Sequence, residues 1–238
     1  MQLTGTRKTL KRRIDALRRE STTGHSPEHA RLEQTVSDPY RWATEHTQTY
    51  NEHWQEEGRP SPYEAFPQRL PYLEPLFQVL ELERIIWIVK SRDMMISWAC
   101  LAYLTWKAMS TPVCGSVVQA QKEKKVIQLI DYAKCLYRRQ PVWLREAFPL
   151  AKPLKNQSDL ELQFANGSYI VGIPGGADQI RSYHPWGYLN DESSFQPEAG
   201  DCYNEALSAV KGKIIFNSSA GPGWYADARR DIVRSEEE

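Results

Sequence analysis

The chain has 238 residues, 41% of them hydrophobic and 11% aromatic, enough for one sizeable core with a small appendage. Its 30 basic and 30 acidic residues cancel, which excludes a surface that is basic all over and leaves room for a local basic groove. Cys100, Cys114, Cys135 and Cys202 show no CxxC spacing, which argues against a zinc site or a disulfide framework and for reduced, buried thiols. The basic N-terminus lacks the apolar core of a signal peptide. No apolar run approaches the ~20 residues that span a bilayer, so an intracellular, soluble protein is expected.

Arg7, Lys8, Lys11, Arg12, Arg13, Arg18 and Arg19 dominate residues 1–20, with Leu10, Ile14 and Leu17 at helical spacing. This segment reads either as a basic helix that contacts DNA or a partner subunit, or as a solvated terminus. Residues 21–39, rich in Ser, Thr, His and Pro, read as a linker. From Pro39 to Trp54 an aromatic stripe (Tyr40, Trp42, Tyr50, Trp54) suggests a helix, broken by Gly58-Arg59-Pro60-Ser61-Pro62. Residues 63–83 read as a loop leading into a helix.

A different pattern follows. Arg84 to Val89 is a continuous apolar run, as expected of a strand buried on both faces. Ser97 to Ser110 reads as a helix, Val113 to Ala120 as a strand, and Gln121 to Arg139 as a charged helix with Val126, Ile127, Ile130, Ala133 and Leu136 as its apolar stripe. Leu160 to Phe164, a turn at Asn166-Gly167, and Tyr169 to Val171 carry a hairpin pattern. Tyr188-Leu189 ends a further strand, residues 197–210 read as helical, and Lys213 to Phe216 is another strand. Strands alternating with helices imply an α/β fold with a mostly parallel central sheet flanked by helices.

In such a sheet ligands sit at the carboxyl ends of the strands. There the sequence places Lys90-Ser91-Arg92-Asp93-Met94-Met95-Ile96-Ser97 before a helix, Asp191-Glu192 after the Tyr188 strand, and Asn217-Ser218-Ser219 after the Ile215 strand. A loop entering a helix presents backbone N–H groups and a positive dipole end to an anion. Ser97 and Asp191 are the residues to hold a magnesium ion, and Glu192 the one to orient an attacking water, a phosphate-handling layout. Against the consensus phosphate loop GxxxxGK(S/T), Lys90 and Met95 stand at the glycine positions and Ile96 at the lysine; only Ser97 matches. An ordinary turn for 90–97 and a helix cap for the acid pair are the plain alternatives.

Val89 to Trp98 resembles the variant phosphate loop of the large terminase subunits of tailed bacteriophages, in which the lysine lies at the start of the loop and an arginine follows. Ile180-Arg181-Ser182 before Trp186-Gly187-Tyr188-Leu189-Asn190-Asp191-Glu192 resembles their Arg-Gly element and Walker B segment, and Phe216-Asn217-Ser218-Ser219-Ala220 their coupling motif. The resemblance covers roughly residues 63–225. It implies a P-loop NTPase fold of the ASCE type, whose Walker B strand is separated from the phosphate-loop strand by another strand, with an N-terminal helical lid or appendage. Residues 1–60 would be that appendage and linker, and 61–238 the ATPase domain; the family's nuclease domain would begin beyond 238.

The resemblance also implies roles. Lys90 would meet the β- and γ-phosphates, Arg92 would support the loop or a phosphate, and Ser91, Asp93, Met94, Met95, Ile96 and Ser97 would complete the nucleotide-binding loop. Ser97 and Asp191 would hold Mg2+, and Glu192 would be the catalytic carboxylate. Arg181 would either enter a neighbouring subunit's site or form a structural ion pair. Asn217, Ser218 and Ser219 would couple hydrolysis to DNA movement. Tyr63, Phe66, Pro67, Gln68 and Gln78 are adenine-site candidates. The cofactors would be ATP and Mg2+. The partners would be double-stranded DNA, the portal protein and the small terminase subunit, in a homo-oligomeric ring that can be a monomer in isolation, in the host cytoplasm and with no membrane contact. Met95 for glycine leaves the loop strained, wider, or closed without nucleotide, and Ser182 also replaces a glycine. A helicase or other P-loop nucleic-acid ATPase, and an assembly module with a decayed phosphate loop, are the alternatives.

Overall fold

The computed structural model describes residues 27–237; the basic segment 1–20 and the first part of the expected linker lie outside the described residues. The chain divides into two compact units, 1–38 and Pro39–Glu238. Within the first, helix α1 (Pro27–Val36) replaces the linker expected there. Pro27 suits a first helical position, and Ala30, Arg31, Leu32, Glu33 and Gln34 are good helix formers, so local propensity outweighs the polar composition.

The second unit opens with α2 (Pro39–His46), shorter than the aromatic stripe suggested. The Thr47 hydroxyl donates to Ala43 O at 2.6 Å, and the chain turns into strand β1 (Gln48–Tyr50), which pairs antiparallel with β2 (Tyr63–Ala65). Thr49 and Tyr50 favour the extended form, and the Tyr50 and Tyr63 rings meet edge to face across the ribbon. Helix α3 (Leu73–Leu82) then leads to β3 (Ile85–Lys90).

Around β3 the order is α4 (Ile96–Ser110), β4 (Gly115–Ala120), α5 (Glu123–Arg138), α6 (Val142–Ala147), β5 (Glu161–Gln163), β6 (Tyr169–Pro174), α7 (Asp178–Arg181), β7 (Gly187–Asp191), α8 (Ala199–Ala209), β8 (Lys213–Ser219) and α9 (Trp224–Glu237). The six-stranded sheet has the order β3-β8-β7-β4-β6-β5, parallel throughout except for β5 at one edge. Strand β3 is thus separated from β7 by β8.

Both faces are covered. On one, Val117, Val171, Ile173, Tyr188, Ile214 and Phe216 pack with Ile180 of α7, Cys202 and Ala206 of α8, and Tyr225 of α9. On the other lie α4 and α5. Helix α4 is apolar on every side because the sheet, α5, α2 and α3 enclose it, and twelve of its residues are buried. Gly172 lets β6 approach α5 closely, since a Cβ there would run into Val126 and Ile130. All four cysteines are unpaired and buried. Among the described residues no helix is long and apolar enough to cross a membrane.

Candidate functional site

The carboxyl ends of β3, β7 and β8 bring most of the expected residues together. Lys90 ends β3, and its Nζ lies 2.5 Å from Oε1 of Glu192. Oε2 of the same carboxylate accepts from Ser219 N at 3.0 Å and Ser219 Oγ at 2.6 Å. Burial pushes the Glu192 carboxyl up, but the Lys90 ammonium and the two Ser219 donors outweigh it and hold it below the usual carboxylate range. Glu192 is itself left-handed, with φ 57° and ψ 50°, which turns the chain out of β7 toward the other two strand ends.

Beside this cluster, Ser97 Oγ in the first turn of α4 donates to Asp191 Oδ1 at 2.6 Å. Asp191 is 1% exposed, and its Oδ2 is buried with no hydrogen-bond partner among the described residues. Burial raises its pKa; the Ser97 hydroxyl and the charge of Lys125, then Asn217 and Lys90, act against that rise. A buried carboxylate oxygen without a partner, next to a hydroxyl, is a set of hard oxygen donors that fits magnesium, an ion held by one or two carboxylates together with phosphates.

The loop between β3 and α4 contains no glycine yet makes glycine-like turns: Asp93 has φ 59° and Met95 φ 56°. A non-glycine residue in this region costs about 1–2 kcal/mol. The Tyr72 hydroxyl donates to Met94 O at 3.1 Å, and the Ser91 amide faces Met94 Sδ at 3.2 Å, so the loop is held from outside and within. Ser91, Arg92 and Asp93 are exposed; Met94 and Met95 are partly covered. Ile96, at the consensus lysine position, is 5% exposed and belongs to the core, so no charge enters the site from there.

Ser218 and Asn217 stitch β8 to the segment after β7. Ser218 Oγ accepts from Ser194 N at 3.0 Å, Asn217 Oδ1 accepts from Glu192 N at 3.4 Å, and Asn217 O accepts from Ser193 Oγ at 3.3 Å. Arg181 is not gathered into this cluster: its guanidinium makes a two-pronged pair with Glu205 of α8, on an exposed side chain. Of the adenine candidates, Phe66 is buried in the core, while Gln68 is exposed.

Several residues of the site escape a reading of the sequence. Asn190, fully buried beside Asp191, donates from Nδ2 to Tyr188 OH at 2.8 Å, and Gln196 Nε2 donates to Asn190 Oδ1 at 2.8 Å and to Asp191 O at 2.7 Å. Tyr188 in turn donates to Gln119 Oε1 of β4. A polar residue inside an apolar strand was the available signal for Asn190 and Gln119; Gln196 and Lys125 carry none.

No family model and no curated protein matches the chain. Solved structures do. An arginine-to-alanine mutant of the ATPase domain of the Thermus phage P74-26 large terminase aligns with a TM-score of 0.50 at 12% identity, over 76% of this chain and 74% of that one. The large terminase of bacteriophage HK97 aligns with a TM-score of 0.58 at 11% identity, over 74% of this chain and 38% of that longer one. The chain therefore has the α/β fold of phage large-terminase ATPase domains, with a mostly parallel sheet in which one strand separates β3 from β7.

Proposed function

We propose that the chain is an ATP hydrolase, the motor domain of a terminase large subunit, which couples hydrolysis to movement of double-stranded DNA into a procapsid. The observation that carries this reading is the meeting of Lys90, Glu192 and Ser219 beside the Ser97–Asp191 pair, at the edge of the sheet where such folds bind phosphates. The proposed domain is 61–238, with 1–60 as appendage and linker.

In this reading the backbone N–H groups of Ser91 to Ser97 and the start of α4 cradle the phosphates, and Lys90 exchanges Glu192 for a phosphate oxygen. Arg92 stands exposed at the loop tip as a second donor. The freed Glu192 carboxylate orients a water and takes its proton. The water oxygen bonds to the γ-phosphorus as the bond to the bridging oxygen breaks, and ADP departs with that electron pair. Magnesium, held by Ser97 and Asp191, would supply charge neutralisation on the β- and γ-phosphates. Ser219, bonded to Glu192, and Ser218 and Asn217, bonded to the segment after β7, would relay the change along β8. Arg181 would serve a neighbouring subunit only by leaving Glu205; within one chain it is a structural ion pair. Portal protein, small terminase subunit and a ring of copies are the partners this reading implies, and DNA contact would be to the phosphate backbone, which carries no sequence.

One observation favours an assembly module with a decayed phosphate loop: Ile96 is in the core while Lys90 is neutralised by Glu192. Calorimetric titration of the wild type and of Lys90→Ala with MgATP separates the two. Binding that depends on Lys90 supports the ATPase; absence of binding by both proteins at millimolar nucleotide supports the module.

A further inference from the structure

Beyond Arg92 at the exposed loop tip, the site has little positive charge available to it. The consensus lysine position is filled by a buried isoleucine, and Lys90 is occupied by Glu192. Yet a nucleoside triphosphate brings several negative charges that must be met. Helix α5 supplies a candidate. Strand β4 pairs directly with β7, Gln119 opposite Asn190, so the chain leaving β4 at Ala120 emerges beside Asp191 and enters α5 three residues later. Lys125 lies in the first turn of that helix, half-buried.

Its ammonium donates to a neutral amide, Gln128 Oε1, at 3.0 Å, and pairs with no carboxylate among the described residues. The amide is held in turn: Gln128 Nε2 donates to Glu52 Oε1, which also accepts from Tyr132 OH at 2.9 Å. The Tyr132 ring stacks on Trp98 at 4.0 Å between centroids and 14° between planes, and Trp98 directly follows Ser97. Lys125 is thus a positioned cation with no carboxylate partner among the described residues, tied to the helix that carries Ser97.

We propose that Lys125 is a further phosphate-binding cation of this site, beside Lys90 and Arg92, contacting the γ-phosphate of the bound nucleoside triphosphate. The inference rests on the ATPase reading. It assigns complementary duties: Lys90 approaches from the β3 side and Lys125 from the β4 side, with Asp191 between them. A contact to the γ-phosphate distinguishes triphosphate from diphosphate, because only the triphosphate reaches across to α5.

The test is calorimetric titration of the full 238-residue chain with MgATP and, separately, MgADP, for the wild type, Lys125→Ala, Lys125→Arg and the exposed neighbour Lys124→Ala. Lys125→Ala is expected to weaken MgATP about tenfold or more while MgADP stays within about twofold, Lys125→Arg to recover most of the loss, and Lys124→Ala to match the wild type. Unchanged MgATP affinity in Lys125→Ala, or equal losses for both nucleotides, overturns the assignment. So does unchanged nucleotide affinity with weakened DNA binding, which would give Lys125 to a DNA phosphate. Thermal unfolding of each variant checks the fold, and Lys125→Gln, which keeps most of the stem, replaces Lys125→Ala if that variant is unfolded. Failure of the wild type to bind MgATP removes the ATPase reading and this inference together; binding by the wild type with Lys125 silent removes the inference alone.

Discussion

Lys90 and Glu192, 102 residues apart in sequence, form an ion pair of 2.5 Å across the end of the sheet, and Ser219 holds the other oxygen of the same carboxylate. The proposed hydrolytic base is therefore ion-paired with the proposed phosphate-binding lysine. Glu192→Gln is expected to lower steady-state ATP turnover about 10²- to 10⁴-fold and to keep MgATP binding. Turnover at the wild-type rate would remove Glu192 from the chemistry. Lys90→Ala is expected to weaken MgATP about tenfold or more.

The two neighbouring carboxylates respond to pH in opposite senses. Glu192 has its folded pKa below the unfolded value, so its ionised form stabilises the fold above the unfolded pKa and that contribution is lost as pH falls through the folded pKa. Asp191 has its folded pKa raised by burial, so its ionised form opposes folding, and the opposition is relieved as pH falls through the folded pKa toward the unfolded one. Glu192→Gln should lower Tm at pH 7 and Asp191→Asn should raise it, and the Glu192→Gln difference should fade below about pH 4. Thermal denaturation of both variants at the two pH values is the check; a stabilising Glu192→Gln or a destabilising Asp191→Asn contradicts it.

Met95 occupies a backbone conformation suited to glycine. Met95→Gly relieves about 1–2 kcal/mol of strain and gives back roughly 0.5–1 kcal/mol through a freer unfolded chain, so the net change should lie within about 1 kcal/mol of neutral. Met95→Val, branched at Cβ, should destabilise by about 1 kcal/mol or more. Urea unfolding of the two variants measures the difference, and equal midpoints would show that the loop relaxes.

Far from the site, Lys213 at the start of β8 is 8% exposed and donates to Glu81 O at 2.7 Å and Glu83 O at 2.6 Å, the open carbonyls where α3 ends. Lys213→Met keeps the stem and removes the donors. It should cost about 2–3 kcal/mol in urea unfolding, with no loss of nucleotide affinity. An unchanged midpoint would mean that water replaces the ammonium.

The strands and the polar residues that gather at their ends were legible because each signal is local: an apolar run, then Lys90, Asp191-Glu192 or Ser218-Ser219. The β1–β2 ribbon was not. Tyr50 and Trp54 continue the spacing of Tyr40 and Trp42, so the helix looks longer than it is, and only pairing with Tyr63–Ala65 across the Gly58–Pro62 break settles the extended form. Lys125 was hidden for a related reason. In sequence it is one of several charges on an amphipathic helix, the pattern of a solvated face, and only the adjacency of β4 and β7 places the start of that helix beside the strand that ends at Asp191. The glycine-poor loop read as a departure, and the structure shows its cost directly in the left-handed Asp93 and Met95.

The buried polar string from Gln119 through Tyr188 and Asn190 to Gln196 has a consequence for folding itself. Apolar strands such as β4, β7 and β8 can slide past one another with little change in hydrophobic contact. A slip of β7 by one residue would exchange its two faces, leave Asn190 without acceptors or donors, and carry Asp191 away from Ser97. The amides and the phenol act as a key that admits a single alignment, so the height of the acidic pair relative to the β3–α4 loop is fixed by groups outside the Lys90–Glu192–Ser219 cluster.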